Sequence, residues 1–174
     1  MGAEALGGAS GNNIGNYNTA VGRGALENNV SGERNTALGF DALSNNIKGN
    51  LNTAIGDFTL VQMTRGSENT AVGREALANL GTPPTEGNTN NDDNYYAGRG
   101  NTAIGHQAGE NLGEIASNNN NIRNANNYNT FLGSHTNMSE SGNKYERSTA
   151  VGAYAQITDS KQIVLGGADL IRTF

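Results

Sequence analysis

The chain has 174 residues, with 11 Lys and Arg against 16 Asp and Glu, a net charge of −5, 25 Gly and no Cys. Disulfides and thiolate chemistry are excluded, the singly scattered Arg residues argue against nucleic acid, and no apolar run approaches the ~20 residues that would insert as a membrane span. Leu, Ile, Val and Phe number only 31, a share below the roughly 20 % that marks chains poor in core-forming residues.

Against that thin composition stands a strict repeat. Asn18-Thr19-Ala20-Val21-Gly22 returns as Asn35-Thr36-Ala37-Leu38-Gly39, Asn52-Thr53-Ala54-Ile55-Gly56 and Asn69-Thr70-Ala71-Val72-Gly73, each time after seventeen residues. A second half-motif trails each Gly: Gly22-Arg23-Gly24-Ala25-Leu26, Gly39-Phe40-Asp41-Ala42-Leu43 and Gly73-Arg74-Glu75-Ala76-Leu77. The chain opens on this half-motif at Gly2-Ala3-Glu4-Ala5-Leu6, so a fragment with an added Met1 is expected.

A fixed short period implies one unit stacked on itself. Seventeen residues are too few for two packed helices, and suit one coil of a parallel β-roll with two short strands and two turns. Gly is expected at the first corner, where positive φ is tolerated. The Asn-Asn…Gly stretch is expected at the second, with Asn in the left-handed region. No Asn-Gly or Asp-Gly dipeptide occurs, which removes the strongest signal for tight hairpins. Thr19 and its equivalents share a strand face with the aliphatics, and that face is expected to be buried. A coil then offers Ala20, Val21, Ala25 and Leu26 as its core, little against the entropy of ordering seventeen residues. A neighbouring copy approaching at the small Ala positions would supply the missing burial, and a closed homotrimer is the expected assembly.

Past residue 80 the repeat is interrupted. Asn101-Thr102-Ala103-Ile104-Gly105 resumes it, followed by Asn129-Thr130-Phe131-Leu132-Gly133, Ser148-Thr149-Ala150-Val151-Gly152 and Gln162-Ile163-Val164-Leu165-Gly166. The chain therefore reads as one domain over 1–174: regular repeats in 1–80, repeats with surface insertions in 81–147 and terminal coils in 148–174. The fold class is all-β, a parallel β-roll or solenoid of ~17-residue coils with loop insertions, assembled as an intertwined or side-by-side homotrimer.

The Asn-Thr-Ala-Val-Gly…Ala-Leu unit resembles the repeats of trimeric fibre proteins, the β-roll heads of trimeric autotransporter adhesins and phage-type tail fibres with a C-terminal self-cleaving intramolecular chaperone. The clearest matches are residues 18–26, 35–43, 52–60, 69–77 and 101–105. Ser160-Lys161-Gln162-Ile163-Val164-Leu165-Gly166 resembles the segment just upstream of that chaperone. The resemblance implies a homotrimer at a cell surface or on a virion-like fibre, a precursor carrying the chaperone beyond this chain, and Phe174 as a matured end; a cloning boundary at 174 is the alternative.

In repeat proteins insertions map to surface loops, often the binding face. The first, Gly81 to Gly100, carries Asp92, Asp93, Asn94, Tyr95, Tyr96 and Arg99. The second, Glu114 to Tyr128, carries Asn120, Arg123 and Tyr128. A third irregular stretch, Ser134 to Arg147, holds His135 and Tyr145. Tyr beside amides, carboxylates and Arg suits a sugar, its ring against the apolar face of a pyranose and the polar groups on the hydroxyls. These residues are the candidate site for a cell-surface glycan or a surface protein receptor.

Other chemistry is weaker. Asp92-Asp93 lacks the spacing of a calcium loop, and His106 and His135 lack metal-ligand spacing, so no metal and no cofactor is expected. Asn137-Met138-Ser139 matches a glycosylation sequon. Asp41, Asp57 and Glu75 are expected to form a solvated row rather than a catalytic pair, and no phosphate loop, dinucleotide loop or nucleophile elbow occurs. A non-enzymatic receptor-binding tip is the leading expectation and a structural fibre spacer its alternative. An ice-binding surface built on the Thr row is disfavoured if that row is buried.

Overall fold

The computed structural model describes residues 5–6, 14–81, 98–112, 126–139 and 145–166. Each repeat contributes one three-residue strand: β1 (Thr19–Val21), β2 (Thr36–Leu38), β3 (Thr53–Ile55), β4 (Thr70–Val72), β5 (Thr102–Ile104), β6 (Thr130–Leu132), β8 (Thr149–Val151) and β10 (Ile163–Leu165). They form one parallel sheet in the order β1-β2-β3-β4-β5-β6-β8-β10. Register follows the repeat, with Thr19 on Thr36, Ala20 on Ala37 and Val21 on Leu38, and so on to Ile163 on Thr149. This is a β-solenoid of ~17-residue coils.

The coils carry one strand where two were expected. The remainder of each coil is turn, yet its backbone still bonds coil to coil: Leu26 N–H to the Ala42 carbonyl at 3.0 Å, Leu43 to Thr59 at 3.0 Å, Leu60 to Ala76 at 3.1 Å. Only near the C-terminus does this wall become a second small sheet, β7 (Asn137–Met138) on β9 (Gln156–Ile157).

Three repeating positions line much of the interior, beside a further buried row through Met63, Leu80 and Leu112. The middle strand position, Ala20 through Ala103 and Ala150, points inward and is buried. So do Ala25, Ala42, Ala76 and Ala108 after the corner, and Leu26, Leu43, Leu60 and Leu77 beyond them. Those four Leu adopt φ of 51–53°, a left-handed conformation that costs an L-residue roughly 1–2 kcal/mol and is offset by complete burial of the side chain. Thr59 and Thr136 occupy the Ala slot without penalty. Thr59 Oγ1 lies 2.8 Å from both the Gly56 and the Gly73 carbonyl, which share its single O–H, and Thr136 Oγ1 donates to the Gly133 carbonyl at 2.8 Å.

The inside and outside of the strand are reversed from the sequence expectation. Thr and the aliphatic residue do share a face, but that face is the outer one: Val21 is 44 % exposed, Leu38 46 %, Ile104 42 % and Leu132 45 %. The Ala residues, expected to admit a neighbouring chain, are sealed inside instead. The physical reason is what already lines the interior: the Ala and Leu positions after the corner are buried, and the strand residue that faces them is the small one, Ala. A Cβ built on Gly22, Gly39 or Gly56 would stand 2.3–2.7 Å from the backbone of the next corner Gly, so the corners themselves stack too closely for any side chain. Among the described residues the left-handed positions are also not filled by Asn. They fall to Leu, Tyr17, Arg34, Asp41, Phe58, Glu68 and their equivalents.

Asn does a different job. Asn35, Asn52, Asn69, Asn101 and Asn129 are fully buried and form a ladder. Asn52 shows the pattern. Its Nδ2 donates to Asn35 Oδ1 at 3.1 Å and to the Gly66 carbonyl at 2.8 Å, and its Oδ1 accepts from the Asn69 backbone N–H at 3.0 Å and from Asn69 Nδ2 at 3.1 Å. A shorter second ladder joins Asn46 Nδ2 to Asn29 Oδ1 at 2.8 Å, with Asn46 also closing the local turn onto Gly49 N at 3.0 Å.

One coil exchanges volumes. Gly109 stands in the Leu slot at φ 66°, and Phe131 in the next coil stands in the Ala slot, fully buried. A Cβ on Gly109 would meet Leu77 Cδ2 at 2.7 Å and Phe131 Cδ2 at 3.0 Å. The ring fills the space the missing Leu would take.

Two stability changes follow. Asn52→Ala orphans buried donors and acceptors on both sides and should cost about 3–5 kcal/mol, read as a lower midpoint in urea unfolding. Gly109→Leu restores the repeat yet should destabilise by overpacking, about 1–3 kcal/mol. The double variant Gly109→Leu with Phe131→Ala should recover most of that loss, which thermal melts of the three proteins will show.

Candidate functional site

Every strand of the sheet has two edges. Before it comes a left-handed residue: Tyr17, Arg34, Leu51, Glu68, Tyr128, Arg147 and Lys161, with Gly100 at the same place in its coil. After it come the corner Gly and the residues that follow: Arg23; Phe40 and Asp41; Asp57 and Phe58; Arg74 and Glu75; His106 and Gln107; Ser134 and His135; Tyr154.

Both edges carry side-chain ladders, formed where the same or the adjacent position of the repeat recurs one coil higher. On the first edge Arg34 lies over the Tyr17 ring at 5.7 Å. Arg99 Nε donates to Glu68 Oε2 at 3.0 Å, and a second guanidinium nitrogen bonds Oε1. On the second edge Arg23 lies 5.7 Å from the Phe40 ring, and Phe40 meets Phe58 edge-on at 5.1 Å. Further along, His106 meets His135 edge-on at 5.0 Å, and His135 stacks on Tyr154 at 5.0 Å with 14° between the planes. Ser134 Oγ lies 2.7 Å from His135 Nδ1.

The candidate residues divide between these edges. Arg99 and Tyr128 come together on the first: Tyr128 N–H donates to the Arg99 carbonyl at 2.9 Å, Arg99 N–H donates to Asn127 Oδ1 at 2.8 Å, and the Tyr128 ring occupies the space above Gly100, where a Cβ would lie 2.7 Å from Cδ1. Tyr128 is half exposed. His135 lies on the opposite edge, at the far end of β6, and does not join them. Asp92, Asp93, Asn94, Tyr95, Tyr96, Asn120 and Arg123 lie outside the described residues. Tyr145 is buried, its N–H on Asn126 Oδ1 at 3.1 Å, and presents no ring to a ligand. Asn137 of the sequon is in β7, half-buried, with Oδ1 accepting from Asn111 N–H at 3.0 Å. Asp41 and Glu75 occupy equivalent left-handed positions; Asp57, one residue earlier in its coil, accepts from the Phe40 backbone N–H at 2.9 Å.

The insertions share one location. The solenoid rejoins at Gly98, Asn126 and Tyr145, and in each case the rejoining carbonyl accepts from the Asn ladder: Asn69 Nδ2 at 3.1 Å, Asn101 Nδ2 at 2.7 Å and Asn129 Nδ2 at 2.8 Å. The strands around them stay in register, β4 on β5 and β5 on β6. The described chain thus resumes each time, at 98, 126 and 145, on the same corner of consecutive coils, immediately before the edge that carries Arg99 and Tyr128.

Sequence reading missed Glu68, His106 and Tyr154 as members of these rows. The signal was their place within two residues of the corner Gly or of the Asn of the motif. Among the described residues no group of three or more His, Cys, Asp or Glu is placed to hold a metal ion, and no helix is long and apolar enough to cross a membrane. No family model, curated protein or solved structure matches the chain.

The hydrogen bond from Arg99 holds the Glu68 carboxyl below its ordinary range. A depressed carboxylate stabilises the fold above the ordinary pKa, and that stabilisation is lost as pH falls through the lowered value. Arg99→Ala should return Glu68 to the ordinary carboxylate range in an NMR titration, leaving the neutral-pH melting temperature nearly unchanged because the pair is exposed.

Proposed function

We propose that this chain is the receptor-binding head or tip of a homotrimeric extracellular fibre or adhesin, attaching without catalysis to a cell-surface glycan or a surface protein. The observation that carries the reading is the common origin of the three insertions. A spacer has no need of them, and in repeat proteins extra sequence between coils is often the binding face; here the described chain resumes after each at the same corner, with the strands still in register. Arg99 and Tyr128 at the base of that corner supply a cation and a ring of the kind a sugar engages. Three copies about one axis would multiply weak single contacts into firm attachment. The trimer is supported by the outward Thr-and-aliphatic face, an exposed apolar rank of the kind that marks an interaction surface. Under the resemblance to chaperone-bearing fibres, the precursor would trimerise through a segment beyond this chain.

The outward Thr row also favours a second reading, an ice-binding face. The two are exclusive, since a trimer packed through this face hides the row. A mass near three chains in solution with no thermal hysteresis supports the first; a monomer with hysteresis supports the second.

Removing residues 83–97 brings Asn101 to seventeen residues after Asn69 and so restores the period. That deletion should fold with a melting temperature within a few degrees of the parent, because β4 and β5 are already in register. On a glycan array and on whole cells it should lose most binding, about tenfold or more where three sites act together. Binding that survives both this deletion and loss of 113–125 would overturn the assignment of the loops.

A further inference from the structure

The cations along the two edges are not equivalent. In the earlier coils they are engaged: Arg34 lies over Tyr17, Arg23 over Phe40, Arg74 pairs with Glu75 and Arg99 with Glu68. Two later ones stand apart. Arg147 and Lys161 take the left-handed position before β8 and β10, with φ of 55° and 58°, and both are exposed. Their backbones are tied into the stack, Arg147 N–H to the Asn127 carbonyl at 3.1 Å and Lys161 N–H to the Glu146 carbonyl at 2.9 Å. Among the described residues neither side chain has an ion pair, a hydrogen bond or a ring contact. The carboxylates beside them in sequence do not take them up. Glu146 and Asp159 form no ion pair with either, and Asp159 Oδ1 accepts from the Ser160 N–H at 2.7 Å.

One rung earlier the same position is Tyr128. Its ring covers Gly100, where a Cβ would lie 2.7 Å from Cδ1 and 2.8 Å from Cε1. The absent side chain of Gly100 gives the ring a seat, and the ring stays half exposed. Successive rungs are about 4.8 Å apart. The edge therefore presents, in order, the Glu68–Arg99 pair, an exposed ring, an unpaired guanidinium and an unpaired ammonium.

We propose that this end of the edge binds a carboxylate-bearing sugar, a uronic acid within a surface glycan. The inference rests on the glycan-binding reading above and adds to it the class of sugar and the residues that select it. The Tyr128 ring takes the apolar face of the pyranose. Arg147 takes the carboxylate, which a planar guanidinium can meet with two parallel hydrogen bonds. Lys161, one rung further on, adds a second positive charge to the same field. Arg99 is not the cation that reads the acid, because Glu68 already holds it; that pair is left to bond hydroxyls. The order of groups also sets the orientation of the sugar. The Glu68 carboxylate repels an acid at the β4 side of the ring, so the carboxylate of the ligand points toward β8. A neutral sugar gains the ring and the hydroxyl contacts but nothing from the two cations, and selectivity for the acid follows.

The test uses the full chain with oligogalacturonate and oligoglucuronate, each beside its methyl ester, which keeps the ring and removes only the charge. Titration calorimetry should show the acids bound about tenfold more tightly than the esters, with a margin that shrinks as salt is raised. Arg147→Gln with Lys161→Gln should erase that margin. The melting temperature and the mass by light scattering should not change, since both side chains are exposed and unpaired. Tyr128→Ala should weaken acid and ester alike. Equal binding of acid and ester by the parent overturns the inference, and so does a margin that survives Arg147→Gln with Lys161→Gln. Failure to bind any of the four probes overturns it as well. Attachment of the parent to whole cells, measured in parallel, separates the two levels: cells bound without preference for the acids leave the adhesin reading standing, and no attachment at all removes both.

Discussion

The buried asparagine ladder is the constraint on which the rest of this structure depends. A primary amide with two donors and a two-lone-pair acceptor can bond the chain above, the chain below and its own coil at once. Asn52 does this with its neighbours at 3.1 Å or less on every bond. Such a group can be buried only if all its partners are present, because an orphaned amide in the interior is expensive. The partner of each Asn is the Asn of the next coil, so the residue is fixed by its own repetition. The ladder ends at Ser148, whose Oγ donates to the Asp159 carbonyl at 3.0 Å and accepts from Gln162 N–H at 3.1 Å. There the repeat also loses its regular length.

With polar groups handling the stacking, the interior needs little apolar volume. Ala rows, the Leu row and a further row through Met63, Leu80 and Leu112 fill it, and the corner glycines stack so closely that any side chain there would strike the next corner. This explains how a chain with few large aliphatics forms a continuous core, and why several of those it has, Val21, Leu38, Ile104 and Leu132, are spent on the outside. Where the core does change, it changes in compensating pairs, as Gly109 and Phe131 show.

Much of this was legible in the letters. A seventeen-residue period dictates parallel register, because identical residues stack on identical residues, and the displaced motifs at Asn101 and Asn129 marked the insertions. The polarity of the strand was not legible from alternation. Thr-Ala-Val spans three residues between corners, so a period of two has no length in which to declare a face. The room left beside the buried Leu row decides it, and of the three strand residues Ala is the one that takes that place. The site was harder still. Tyr128 is exposed and Tyr145 buried although both precede a strand by a few residues, and the difference is one of phase: Tyr128 takes the left-handed edge position, while Tyr145 takes the position whose carbonyl receives the Asn ladder.

That carbonyl position accounts for where the solenoid admits extra chain. In regular coils it is Gly, and at Gly15, Gly32 and Gly49 a Cβ would meet the carbonyl of the next copy at 2.0–2.5 Å. The ladder itself asks only for a carbonyl oxygen, which every residue carries. Once an insertion changes the approach of the backbone, the steric demand for Gly lapses and the electrostatic demand remains, so Asn126 and Tyr145 serve equally well. Insertions are thereby confined to this corner: elsewhere they would separate an Asn from its partner or a corner Gly from its stack, whereas here the chain can depart, return and still present the one group the ladder requires. The segregation of variable sequence onto one line of the solenoid is therefore a consequence of how the amides are satisfied, and it gives any surface built there a rigid and repeated base.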